Sequence, residues 1–86
     1  MSDTRVIDVR GLEPPQPLEM VLEEAARLEP GQRLHVIHFR EPCLLYPLLT
    51  KRGFSHSVAA TGEERFEFLV WRTVETQHLA SLPPAL

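Results

Sequence analysis

The side chains of this chain best suited to chemistry are one thiol, Cys43, and four imidazoles, His35, His38, His56 and His78. Cys43 follows Pro42 in the run Arg40-Glu41-Pro42-Cys43, directly before an apolar stretch with helical spacing. A thiol at a helix start is favoured as thiolate by the helix dipole; Arg40 adds to that effect and Glu41 opposes it. Such a thiolate serves as a sulfur carrier, a redox sensor or a metal ligand, which makes Cys43 the candidate catalytic residue. The competing reading is a small buried apolar side chain. The histidines form no tight ligand motif. His35 and His38 are three apart on an expected strand and so point to opposite faces. His38 and Cys43 can meet at a strand–helix turn as candidate metal ligands, but two ligands make a weak site or one shared with a partner. With Arg40 and Glu41, the same turn is a candidate small-ligand site. No cofactor is implied. Asp8, Glu13 and Glu41 read as solvated acids in turns.

The second informative cluster is Gly11-Leu12-Glu13-Pro14-Pro15-Gln16-Pro17. Pro15 or Pro17 fits the first turn of a helix, where a missing N–H costs little. Helix N-termini bind anions through free backbone N–H groups. Pro14, Pro15 and Pro17 remove such donors and Glu13 adds negative charge, so an anion site is disfavoured. A rigid, apolar contact with a protein partner suits Glu13, Pro14, Pro15, Gln16 and Pro17 better, with Arg40 and Glu41 on the neighbouring turn.

These clusters need elements to hold them. Arg5 to Val9 reads as a strand, and Leu18, Val21, Leu22, Ala25 and Leu28 follow helical spacing up to a stop at Pro30-Gly31. Arg33 to Phe39 reads as a central strand, because Leu34 and Val36 share one face with His38 while Ile37 and Phe39 share the other with His35. Leu44, Leu45, Leu48 and Leu49 give a short second helix. Pro47 is tolerable there only in the first turn or so, and Gly53 stands where a C-terminal cap is expected. Phe54 to Thr61 and Arg65 to Arg72 read as strands joined by a hairpin at Gly62-Glu63-Glu64. In the last strand Phe66, Phe68 and Val70 face one side and Arg65, Glu67, Leu69 and Trp71 the other. The order β-α-β-α-β-β, with right-handed crossovers, predicts an α/β two-layer sandwich: a four-stranded mixed sheet with two helices on one face. Trp71 and Leu69 fall on the open face, where the expectation is a cover by the tail or a homodimer or partner contact. The tail from Thr73 to Leu86 docks as a short helix around His78 to Leu82 or stays loose.

Composition sets outer bounds. The chain has 86 residues, 43% of them hydrophobic and 24% charged, which suits one small globular domain. A formal net charge of −3 leaves no broad basic surface for nucleic acid. A lone cysteine excludes an internal disulfide framework and fits a reducing compartment. There is no apolar signal segment or membrane-length apolar run, so the expectation is a cytoplasmic protein without membrane contact.

The Gly11-to-Pro17 segment resembles the Gly-Leu-x-Cys-Pro-x-Pro signature of TusA/SirA-like sulfur-carrier proteins, with Pro14 at the cysteine position. The Pro30-Gly31 turn and the strand after it fall where that superfamily has them. The run Arg40 to Pro47, with Arg52-Gly53-Phe54, resembles an uncharacterised domain-of-unknown-function branch with members found beside haemerythrin-like domains. The resemblance covers residues 5–72 and implies the fold above. It also implies a setting in sulfur or redox metabolism, but persulfide chemistry at the motif position needs a thiolate and Pro14 has none. The expectation is therefore a non-enzymatic protein-interaction module, with a Cys43 thiol carrier and a ligand or metal site at the sheet edge as alternatives.

Overall fold

The computed structural model describes residues 3–73. Its elements are β1 (Thr4–Asp8), α1 (Gln16–Ala26), β2 (Arg33–His38), α2 (Leu45–Lys51), β3 (Phe54–Gly62) and β4 (Arg65–Arg72). The expected order and mixed sheet are both found. The strands lie in the order β1-β2-β4-β3, with β1 parallel to β2 and β4 antiparallel to both of its neighbours. β2 is an inner strand, as its two apolar faces require. The tail helix expected around His78 falls outside the described residues.

Alternation decides which face is covered. Phe66, Phe68 and Val70 of β4 join Leu34 and Val36 of β2 in the buried core, together with Val21 and Ala25 of α1 and Leu45 and Leu49 of α2. Both helices therefore cover one sheet face. Burying each large apolar side chain there contributes about 1.5–3 kcal/mol. Glu67, Leu69 and Trp71 turn to the helix-free face and are half-buried.

Proline and glycine chemistry fixes the helix ends. Pro15 is the N-cap of α1 and Pro17 lies in its first turn, where the Glu19 N–H donates to the Pro15 carbonyl at 3.1 Å. The helix ends at Ala26, ahead of the Pro30-Gly31 stop that the sequence suggests. There the bonding tightens, the Arg27 and Leu28 N–H groups donating to the Glu24 and Ala25 carbonyls, and the Arg72 guanidinium, from β4, donates to the carbonyls of Leu28 (2.6 Å) and Ala26 (3.1 Å). A cation at the carbonyl end of a helix is favourable. Arg72 is held there over the Phe54 ring at 5.2 Å. Leu28 lies past the helix end but stays buried at 2% exposure.

α2 begins at Leu45, which puts Pro47 at its third residue, inside the first turn. Leu44 is consequently the N-cap and is 84% exposed rather than part of a buried stripe. Gly53 follows the C-cap Arg52 with φ +88°, a conformation open to glycine and rarely to L side chains. Val9, expected within the first strand, lies one residue beyond it, but its N–H still donates to the Ile37 carbonyl at 2.9 Å.

Candidate functional site

Because β1 and β2 are parallel, their carboxyl ends share one edge of the sheet. The connections that leave this edge for α1 and α2 enclose a cleft of about 410 Å³. Pro14, Pro15, Pro17 and Leu18 form the wall on the α1 side. Phe39 to Leu44 form the other wall, and His38 and Leu45 complete the lining. The Pro14–Pro15 peptide bond within the first wall is cis. Ligand sites in open α/β sheets tend to lie outside the carboxyl ends of strands in this way.

Two separate stretches of sequence thus meet. Pro14, Pro15, Pro17, Arg40 and Glu41 line one cleft, together with Cys43 and His38. Glu13 and Gln16 belong to the same turn, where the Gln16 N–H donates to the Glu13 carbonyl at 2.8 Å, but they are not in the lining. Trp71 is not brought to the site. It pairs in register with Arg33 at the start of β2, the opposite end from His38, and lines a separate depression of about 360 Å³ with Ser57 and Leu69.

His38 is the chemically informative member. It is the only buried polar side chain among the described residues, at 6% exposure. Its Nδ1 accepts backbone N–H groups from Phe39 at 3.0 Å and Arg40 at 3.4 Å. Accepting at Nδ1 places the ring proton on Nε2. Burial, reinforced by the positive charge of Arg40, holds the imidazole below its usual pKa and so favours the neutral ring. Among the described residues no hydrogen bond engages Nε2, yet the atom is not a sealed, unsatisfied one. It therefore stands as an accessible N–H donor on the lining of the cleft. In this tautomer neither nitrogen offers a lone pair to a metal ion or to the Cys43 proton.

Cys43 is a free, exposed thiol, and its backbone N–H donates to the Glu41 carbonyl at 3.0 Å. Among the described residues no group of three or more His, Cys, Asp or Glu side chains is arranged to hold a metal ion. The Arg40 guanidinium lies over the Phe39 ring, 5.2 Å from its centroid. The Tyr46 hydroxyl donates to Glu41 Oε2 at 3.3 Å, and its ring stacks on His56 with centroids 3.9 Å apart. Burial, and secondarily the Glu41 charge, pushes the Tyr46 pKa up to about 12. Tyr46 is thus a neutral clamp on the Glu41 side chain.

Asp8, at the same edge, is paired with Arg10 through two hydrogen bonds to the Arg10 Nε and one to Nη2. That pairing lowers its pKa and so favours the ionised carboxylate. Sequence reasoning placed the turn from Arg40 to Cys43 at the site but did not assign Phe39, Leu18 or Leu44 to it. For Leu44 part of the signal was present: Pro47 confines the start of α2 to the turn before it, and a start at Leu45 leaves Leu44 outside the buried stripe.

The fold is a small two-layer α/β module with a largely apolar cleft at the carboxyl edge of its parallel strands. The chain matches the family described as an uncharacterized conserved protein, DUF2249, over residues 6–72, and belongs to it. No curated protein and no solved structure matches it. Among the described residues no helix is long and apolar enough to cross a membrane.

Proposed function

We propose that this protein is a non-enzymatic, TusA/SirA-like interaction module of the cytoplasm that docks a protein partner in the cleft. One observation carries the reading: the proline turn before α1 and the Arg40–Cys43 turn before α2 form a single apolar cleft, with Leu44 84% exposed at its lip. Apolar surface concentrated in a concave site favours a partner over water. The tautomer of His38 supports the same reading, since it leaves Cys43 without a base. Pro14 supplies no nucleophile at the position where the resembling carriers hold a thiol, which leaves the prolines a role in shape.

The test is capture of a partner by the full chain and by single variants. Leu44→Asp and Pro14→Ser are expected to reduce capture by tenfold or more, and Cys43→Ser to leave it unchanged. Capture that depends on Trp71 and not on Leu44 would move the docking surface to the helix-free face, where a second copy of the chain is the proposed occupant. The exposed position of Cys43 in the cleft favours one alternative, a thiol-based carrier. That reading requires Cys43 to react with maleimide at neutral pH faster than free cysteine does.

A further inference from the structure

The two edges of the sheet are built differently. β1 is five residues long and carries two charged side chains, Arg5, paired with Glu24, and Asp8, paired with Arg10. Short length and charge are common ways to keep a sheet edge from pairing with another chain. β3 is nine residues long, from Phe54 to Gly62, and contains neither a charged residue nor a proline. Of the features that blunt an edge it has only a bulge, between Val58 and Ala60. It pairs with β4 on one side, and among the described residues no strand takes the backbone N–H and C=O groups of its other side. Ser57 to Gly62 are all exposed, and Val58, the middle residue of the strand, is 49% exposed.

The charges that flank β3 indicate what pairs with it. Lys51 and Arg52 precede the strand, separated from it by Gly53 alone, and Glu63 and Glu64 follow it directly. All four are exposed, and among the described residues none makes an ion pair. The strand is thus basic at one end, acidic at the other and neutral between. A second copy laid antiparallel brings the basic end of each strand to the acidic end of the other, whereas a parallel copy sets like charges together. The two-fold axis of the antiparallel pair passes near Val58, so two exposed valines meet across it as a β-branched cross-strand pair. We propose that β3 pairs antiparallel with β3 of a second copy of this chain, joining the two sheets into one in a two-fold dimer. None of the residues lining the cleft lies on β3, so the dimer carries two clefts, and the inference does not rest on the docking role proposed above.

The experiment is sedimentation equilibrium of the full chain across a concentration series. Wild type is expected to be a reversible dimer that weakens as salt is added. Val58→Lys, which sets two ammonium groups together at the axis, is expected to weaken it about tenfold or more. Lys51→Glu with Arg52→Glu makes both ends acidic, and Glu63→Lys with Glu64→Lys makes both ends basic. Each charge-reversed chain is expected to self-associate about tenfold more weakly. A mixture of the two is expected to recover a dimer with one of each, which a mere loss of fold would not allow. If Val58→Lys loses its strand circular dichroism, the charge-reversed chains, altered only at exposed positions outside β3, still decide the matter. A monomer at every concentration overturns the inference. So does a dimer that withstands the charge reversals, or a mixture that fails to associate. A dimer that is lost in Trp71→Ser and kept in Val58→Lys also overturns it and puts the second copy on the helix-free face.

Discussion

The cleft at the carboxyl edge and the helix-free face of the sheet both expose apolar side chains, but they differ in how the polar groups beside them are paired. On the helix-free face Val6 is 61% exposed, and Ile37, Leu69 and Trp71 are half-buried. Among them His35 Nε2 meets Glu67 Oε1 at 2.7 Å, Arg65 bonds the other Glu67 oxygen, and Asp8 is clamped by Arg10. On that face these charged and imidazole groups are paired with one another. In the cleft the Pro15, Glu41 and Pro42 carbonyls are engaged, while among the described residues the His38 Nε2–H has no partner. Exposed apolar area is therefore a weak sign of a site, and apolar area beside an unpaired buried donor is a stronger one.

The comparison can be broken most sharply within β4, whose alternate side chains serve the two faces. Phe68→Ala, at 0% exposure, is expected to cost about 3–5 kcal/mol in urea unfolding, whereas Leu69→Ala on the helix-free face costs about 1 kcal/mol or less. Similar losses at both would mean that the helix-free face is part of a core. Arg72→Met comes next, at about 1–2 kcal/mol, because it strips the Leu28 and Ala26 carbonyls of their donor. Loss of helical circular dichroism from α1 in parallel would confirm the route.

The pH dependence separates the two regions again. His38 is buried and titrates below its ordinary 6.5, so the unfolded chain takes up its proton first as pH falls. Its contribution to stability is complete above pH 6.5 and is lost as pH drops from there through the lowered folded value. Wild type is therefore expected to be less stable at pH 5.5 than at pH 7.5 (~1 unit either side of the ordinary imidazole value), and His38→Gln to lack that part of the decline. Glu67, on the other face, is held below its ordinary 4.5 by Arg65 first and His35 second. Its contribution is present above pH 4.5 and lost as pH falls further. Glu67→Gln should flatten only this acid limb, the smallest effect of the set because the group is screened by solvent.

Much of the fold was legible because local rules agreed. The Phe66, Phe68, Val70 alternation, the Gly53 stop and the two-sided β2 each point to one arrangement. The strand order was not legible in the same way, since nothing local tells β4 to lie between β2 and β3. The end of α1 lies earlier than the Pro30-Gly31 stop suggests, and part of what satisfies its last carbonyls comes from Arg72, 46 residues beyond Ala26. At the site, the meeting of the two turns followed from parallel β1 and β2. The His38 tautomer did not, because it depends on where two backbone N–H groups point after β2 ends. Phe39 and Leu44 looked like core residues until the geometry placed them on a wall.

The central place of β4 has a consequence for how the protein comes into being. A chain growing from its amino end completes β2 and β3 before their shared neighbour exists. Until residues 65–72 emerge, the only strand pair available is β1 with β2, and the apolar faces of α1 and α2 have half a sheet to rest on. β4 thus works as a keystone: a fragment that stops before Arg65 has the β1–β2 pair at the cleft but lacks the strand that joins β3 to it.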